Sequence, residues 1–269
     1  MKKILVIGCG HMGSALVTSW INSKKYSLTI IDPNKFSSLN KKYYKANVTI
    51  LKKISNSKRD KIFDFIIFAI KPLDLNNILK DVSNIKIGNQ TSIISVIAGK
   101  KINVFEKNFP NVRNIFRVMP NMPASIGQSM NCIVAKKNVT LSKKRDIIKL
   151  FSYSGETLML EDENQIDMAT AISGSGPGFI FNLIDAMEKA AIKLGFTKKT
   201  ANILVSQTFR GSINLLLKNK ISPKILVSTI ATKGGTTEAG LKVMNKREIH
   251  KIFIELTKAS FKKAKEQRK

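Results

Sequence analysis

Near the start of the chain, Gly8-Cys9-Gly10-His11-Met12-Gly13 follows the apolar run Ile4–Ile7 and leads into an amphipathic stretch. Three glycines in a G-x-G-x-x-G pattern, between a strand and a helix, bind through the backbone rather than through side chains. The first glycine allows a tight turn, the second lets the main chain approach a pyrophosphate, and the third lets helix and strand pack closely. The anion then rests on the helix N-terminus. A ligand-free glycine turn has the same spelling; the position at the head of a βαβ unit is what points to a dinucleotide. Asp32 closes the next apolar run, 19 residues after Gly13, where a carboxylate would accept hydrogen bonds from the adenosine ribose and repel a 2′-phosphate. Lys35 could offset that repulsion by reaching the phosphate. Asp32-Pro33-Asn34 is equally a good turn sequence.

Two more glycine-rich segments stand further along. Ser173-Gly174-Ser175-Gly176-Pro177 opens an apolar helix, and Pro177 suits a first helical turn. A nucleophilic Ser175 would need glycine at position 173 and a base nearby, and has neither, so the segment is expected to be a tight helix-start turn at an active-site floor. Thr232-Lys233-Gly234-Gly235-Thr236-Thr237-Glu238 again runs from loop into helix. Its amides and hydroxyls could form a nest for a carboxylate. It could also be a capped helix start with Thr236 or Thr237 as N-cap.

The elements that position these segments differ between the two halves of the chain. Short apolar runs alternate with amphipathic ones through residues 1–155, the rhythm of a doubly wound parallel sheet. Strands are expected at Lys3–Ile7, Ser27–Ile31, Phe65–Ile70, Ser92–Ile97, Arg113–Val118 and Cys132–Ala135, with helices at Met12–Ser23, Asp74–Lys80 and Leu141–Phe151. Beyond residue 160 the pattern is helical: Pro177–Leu194, Thr197–Leu217, Pro223–Ala231, Thr237–Asn245 and Lys246 onward. Gly195 follows a periodic stretch, where a helix end calls for positive φ. The expected fold is α/β: a Rossmann-type domain over 1–160, then an all-helical domain over 161–269 for substrate binding and dimerisation. The helices at 177–217 are apolar on more than one face, which calls for a second copy to cover them.

Composition narrows the function classes. The 269 residues are 43% hydrophobic, with mean hydropathy −0.05. The longest apolar run, Phe65–Ile70, is far short of the roughly 20 residues that span a bilayer. Met1-Lys2-Lys3 leads straight into the first strand with no signal-peptide pattern, so a cytoplasmic protein is expected. Cys9 and Cys132 cannot make a disulfide framework, and His11 and His250 do not suggest a metal site. The net charge of +28 raises nucleic-acid binding. Of the basic residues, however, 39 are Lys and 7 are Arg, scattered in pairs without a stripe or tail. A solvated surface is the expectation, with a field that draws in small anions.

Several segments together carry a resemblance. Ile7–Gly13, Phe68-Ala69-Ile70-Lys71-Pro72, Ser95-Val96-Ile97-Ala98-Gly99, Arg117-Val118-Met119-Pro120-Asn121-Met122-Pro123, Ser173–Pro177 and Gly234-Gly235-Thr236-Thr237 occur in this order over essentially the whole chain. In this combination the chain resembles pyrroline-5-carboxylate reductase. The resemblance implies that Gly8, Gly10, His11, Met12 and Gly13 hold NADP(H) or NAD(H), with Asn56 near the adenosine half and Ala69, Ile70, Lys71, Pro72 and Ala98 along the nicotinamide half. It implies Gly234, Gly235, Thr236 and Thr237 around the carboxylate and ring nitrogen of the substrate, Glu163 at the edge of that pocket, and a homodimer formed through the helical domain. Departures occur at Ser228 and Lys233, where family members carry an acid and a proline, and at Asp32-Pro33, where they often carry a small polar residue and Arg.

The implied reaction is hydride transfer to C5 of 1-pyrroline-5-carboxylate, giving proline. Thr237 is the residue with a hydroxyl for the ring nitrogen. The rivals are reduction of another cyclic imine acid and a 3-hydroxyacid dehydrogenase. The latter needs a Lys–Asn pair on a long helix, and the 177–194 helix has Lys189 and Lys193 without the Lys-x-x-x-Asn spacing.

Overall fold

The computed structural model describes residues 1–56, 62–82 and 85–268, with the side chain of Asn56 outside the described set. The first part alternates β1 (Lys2–Ile7), α1 (His11–Asn22), β2 (Tyr26–Ile31), α2 (Phe36–Lys42), β3 (Val48–Leu51), β4 (Phe65–Phe68), α3 (Leu75–Val82), β5 (Ser92–Ser95), α4 (Ile102–Asn108) and β6 (Asn114–Met119). Then come β7 (Ser129–Ala135), α5 (Leu141–Phe151), β8 (Gly155–Met159) and α6 (Glu163–Ala169). The strands form one sheet in the order β3-β2-β1-β4-β5-β6-β7-β8. Pairs from β3 to β6 are parallel, β6 and β7 are antiparallel, and β7 and β8 are parallel. Strand order turns back between β1 and β4, the switch point where doubly wound sheets bind dinucleotides.

Period-two alternation along β1 explains why both faces of the sheet are covered. Ile4 and Val6 join a cluster with Leu16, Val17 and Trp20 of α1 and Leu150 and Phe151 of α5. Leu5 and Ile7 join the opposite cluster, with Leu75 and Leu79 of α3 and Phe105 of α4. The indole N–H of the fully buried Trp20 donates to the Leu150 carbonyl at 2.9 Å, so its one polar atom is satisfied.

The expected strands and helices of this region are present, with shifted ends. The Phe65 strand stops at Phe68 instead of Ile70: Ala69 N–H makes a last bond to β1 at the Ile7 carbonyl, and the chain then turns into the 3₁₀ segment Pro72–Asp74. Five elements have no counterpart in the expected set: α2, β3, α4, β8 and α6. β3 and β8 are four and five residues long, lie at the two sheet edges and are only half-buried, so neither makes a strong apolar run. α2 buries only Leu39, and α4 only Ile102 and Phe105.

The remaining helices are α7 (Gly176–Lys193), α8 (Lys198–Asn219), α9 (Pro223–Ile230), α10 (Thr236–Lys246) and α11 (Ile249–Glu266). Thr197 caps α8 through the Thr200 amide, Ser222 caps α9 through the Ile225 amide, and Gly195 has φ +105°. The chain separates into compact units Met1–Ser175 with Ser260–Lys269, and Gly176–Ala259. This division lies past the 160/161 boundary expected where the strand pattern ends. The reason is α6: Ile166 is buried in the sheet core and Asp167 pairs with Arg117 of β6. Both anchor the helix to the sheet unit.

Candidate active site

The glycine loop joins β1 to α1, and its three glycines have separable roles. Gly8 has φ +88°, and a Cβ there would stand 2.6 Å from Ile70 Cγ2 and 2.7 Å from the Ala69 carbonyl. A Cβ on Gly13 would stand 2.5 Å from the Gly8 carbonyl and 3.3 Å from Ala69 Cβ. These two let the β1 and β4 loops close on each other. Gly10 is different: a Cβ there meets nothing within 4 Å. Its missing side chain keeps a surface open. Gly10 is also the N-cap of α1, with no side chain capping the helix, so the first-turn amides from exposed His11 and half-buried Met12 are free to take an anion.

Asp32 ends β2, as expected, but its carboxylate is engaged. One oxygen accepts from the Cys9 amide at 2.8 Å and the other from the Lys35 amide at 3.1 Å. The residue is 9% exposed. The turn reading of Asp32-Pro33-Asn34 therefore describes its contacts, and the residue fixes both the glycine loop and the following 3₁₀ segment. Burial, followed by the Asp32 charge, pushes the Cys9 thiol up to about 11, so it stays protonated near neutral pH. Lys35 is exposed and lines a cleft of about 430 Å³ with Gly10, His11, Ser14 and Lys42.

The residues expected along the nicotinamide half follow the carboxyl ends of β4 and β5. Ala69 and Ile70 touch the glycine loop as above; Lys71 and Pro72 are exposed at the start of the next 3₁₀ segment. Ala98 is exposed, while Gly99 beside it is buried at φ +75° with its backbone against the Gln267 carbonyl. Asn56 ends a 3₁₀ turn, and its side chain lies outside the described residues.

Glu163, expected at the edge of a substrate pocket, is the first residue of α6. Its carboxylate accepts from the Ile102 amide at 3.0 Å and meets Arg117 Nη1 at 3.4 Å. Arg117, 3% exposed, also pairs with Asp167 at 3.3 Å, and Asp167 pairs in turn with Arg268. Glu163 is thus bound into a buried charge network. Arg117 and Asn121 carry family resemblance in the sequence but reveal their work only here. Asn121 Oδ1 accepts from the Met130 amide at 2.9 Å, and its Nδ2 donates to the Ser173 carbonyl at 2.9 Å. No pattern in sequence spacing pairs residue 121 with residue 173.

Of Ser173-Gly174-Ser175-Gly176-Pro177, only Gly176-Pro177 make the expected helix start, as the first residues of α7; Ser173 and Gly174 are not a turn. Thr170–Gly174 is a π-helical stretch running from α6 toward α7, with Ser175 N–H bonded to the Thr170 carbonyl. A Cβ on Gly174 would press to 3.0 Å of Met119 Cε, so the small residues admit a widened helical turn against β6. Single π turns recur at functional sites.

In the helical unit, Thr236 and Thr237 are the first two residues of α10 and both are exposed. The N-cap is Gly235, and no side chain caps the helix, which overturns the cap reading of either threonine. Gly234, at φ +76°, donates its N–H to Glu238 Oε2 at 2.9 Å. A Cβ on Gly235 would meet Thr232 Oγ1 at 2.7 Å. The turn is fixed, and its uncapped amides and the Thr237 hydroxyl remain available to a carboxylate or a ring nitrogen. The departing positions lie close by: Ser228 donates to the Ile225 carbonyl within α9, and Lys233 is exposed.

Comparison with known proteins covers both sets of residues. A family model described as pyrroline-5-carboxylate reductase dimerisation matches residues 163–267, and one described as NADP oxidoreductase, coenzyme F420-dependent, matches residues 3–99. Pyrroline-5-carboxylate reductase 2 of Bacillus subtilis is 33% identical over 99% of this chain and 95% of its own length. The solved pyrroline-5-carboxylate reductase of Coxiella burnetii superposes with a TM-score of 0.89 at 26% identity, covering 99% of this chain and 98% of that one. A pyrroline carboxylate reductase of Plasmodium falciparum, solved with NADP bound, gives 0.82 at 26% identity, covering 100% and 98%. With an open glycine cradle at one end of the chain, an uncapped threonine turn toward the other, and similarity that spans both, the chain belongs to the pyrroline-5-carboxylate reductase family.

Proposed function

We propose that this chain reduces 1-pyrroline-5-carboxylate to proline, with the cofactor on the glycine loop and the substrate on the Gly234–Thr237 turn. The observation that carries the reading is that likeness to reductases of this imine extends over 99% of the chain, so it covers the helical unit as well as the nucleotide unit. NAD(P)H, when bound, supplies the hydride for C5 of the imine. The residues of this chain supply binding and orientation. Gly10 leaves room for the pyrophosphate, the α1 amides from His11 and Met12 neutralise it, and Ala69–Pro72 and Ala98 bound the nicotinamide side. The amides at Gly235–Thr237 receive the substrate carboxylate, and the Thr237 hydroxyl hydrogen-bonds the ring nitrogen, to which the C=N electron pair moves. A threonine hydroxyl is too weak an acid to protonate an imine, so the nitrogen enters already protonated and Thr237 holds it in place. Much of the rate comes from that positioning. Glu163 acts from behind, through its hold on the Ile102 amide and Arg117.

The helical unit serves self-association, which its match to a dimerisation model supports. No helix among the described residues is long and apolar enough to cross a membrane. A cytoplasmic location is part of the reading, and two buried free thiols fit a reducing compartment. Initial rates with 1-pyrroline-5-carboxylate, with NADH and NADPH side by side, test it: imine-dependent cofactor oxidation with proline as product is expected. Turnover of a six-membered cyclic imine or of a 3-hydroxyacid, with none of the five-membered imine, would overturn it.

A further inference from the structure

The cleft beside the glycine loop has a charge pattern that imine reduction does not require. Its lining includes Gly10, His11, Ser14, Lys35 and Lys42, and no acidic side chain. Lys42, the last residue of α2, is drawn back onto α1: its ammonium donates to Ser14 Oγ at 2.8 Å and lies 5.0 Å from the centre of the Tyr43 ring. Ser14 Oγ in turn stands 3.5 Å from the Tyr43 hydroxyl. An ammonium has three donors, and Ser14 takes one, so two remain for a ligand.

Asp32 is the group that would oppose a second phosphate here. Both of its oxygens are instead turned to backbone amides, those of Cys9 and Lys35, and it does not line the cleft. The carboxylate that by spacing alone favours a free ribose hydroxyl fixes the backbone of a lysine.

We infer that Lys42, steadied by Ser14 and Tyr43, and Lys35, held at its amide by Asp32, form a seat for the 2′-phosphate of NADPH and make this chain select NADPH over NADH. This rests on the dinucleotide reading of the glycine loop and deepens it. A phosphomonoester carries roughly −1.5 to −2 charges near neutral pH, and an ammonium meets it as a compact point charge. With NADH the two lysines would face a neutral hydroxyl and contribute little selective binding.

Isothermal titration of the full chain, without imine, tests the assignment with NADPH, NADH, adenosine 2′,5′-bisphosphate and adenosine 5′-monophosphate. NADPH should bind at least about 10-fold tighter than NADH, consistent with charge-assisted contacts discounted for exposure. The 2′,5′-bisphosphate should outbind the monophosphate in the same sense. Lys42→Ala and Lys35→Ala should each weaken NADPH by about 5- to 20-fold while NADH stays within about twofold. Lys42→Arg should keep most of the preference, and the double alanine variant should bring the two cofactors near parity. The preference should shrink as salt is raised, since both lysines are exposed. Melting temperatures of the variants separate misfolding from lost contact. Equal wild-type affinity for the two cofactors, or variants that weaken both alike while melting normally, would overturn the assignment. Because no imine is present, failure here leaves the proposed reaction standing, and failure to turn over the imine leaves this result standing.

Discussion

In the sheet unit Trp20, Phe116 and Phe151 have no exposed surface, whereas in residues 176–259 only Ala201 and Val205 are buried. The sheet unit spends its apolar residues inside and turns backbone toward a ligand. The helical unit leaves Phe181, Leu194, Ile203, Leu217 and Val243 at 55–82% exposure. Each such side chain, if fully covered, is worth roughly 1.5–3 kcal/mol. The difference teaches that one half of the enzyme is complete within a single chain and the other is completed by association, which fits its match to a dimerisation model.

The largest effect should come from breaking that completion. Ile203 and Leu217, both on α8 and both more than half exposed, are suited to it. Ile203→Asp together with Leu217→Asp should put charge where a partner would press, abolishing association and with it activity while each sheet unit stays folded. Sedimentation and rate measurements on the same sample check this. A wild-type chain that sediments as an active 30.0 kDa monomer would contradict the comparison itself.

Next in size, the sheet unit should respond to single atoms. Gly10→Val fills the open face of the cradle, so cofactor binding should be lost beyond detection by fluorescence titration, with a melting temperature close to wild type. Gly8→Ala should do the reverse damage. Its Cβ has no room and its φ is positive, so stability should fall by about 1–3 kcal/mol or more. A Gly10→Val protein that binds NAD(P)H normally would remove the loop from the site.

Third, the charge network should show how tightly the sheet unit is closed. Arg117→Ala leaves Asp167, 1% exposed, without its strand partner. Removing one member of a buried pair costs roughly 3–5 kcal/mol. Denaturant midpoints measure it; a loss under about 1 kcal/mol would mean that Arg268 alone satisfies Asp167.

What was legible in the sequence follows the same divide. Buried central strands such as Phe65–Phe68 are continuous apolar runs, and the helices at 141–151 and 177–230 are long and periodic, so spacing alone finds them. The edge strands Val48–Leu51 and Gly155–Met159 are short and half wet, and carry no such signal. Within the candidate site, glycine spacing singled out the β1–α1 loop because the expected chemistry there is backbone conformation. The partners of Asp32, Glu163, Arg117 and Asn121 include contacts spanning 23 to 61 residues, which spacing does not encode. The π stretch was read as a turn because Ser-Gly-Ser-Gly-Pro suits both, and only packing against Met119 distinguishes them.

The smallest effect belongs to the helical unit's own contribution to chemistry. If Thr237 holds the ring nitrogen as charge shifts during hydride transfer, Thr237→Ala should lower kcat/KM. A hydrogen bond to a charged partner is worth about 1.5–3 kcal/mol, hence about 10- to 150-fold. Thr237→Ser keeps the hydroxyl and should lose far less. Cofactor affinity should not change, since the glycine cradle lies in the sheet unit. A helix-capping role would instead predict a loss of about 1 kcal/mol in stability with kinetics intact. The structure makes Gly235 the cap and leaves α10 without a side-chain cap, so melting temperature should stay near wild type in both variants. Thr236→Ala, one residue earlier on the same exposed turn, is the control and should cost less than Thr237→Ala in kcat/KM. An alanine variant at 237 as active as wild type would strip the turn of its catalytic hydroxyl and leave only the backbone amides to act on the substrate. The two units would then differ in burial alone, since both would bind through main chain.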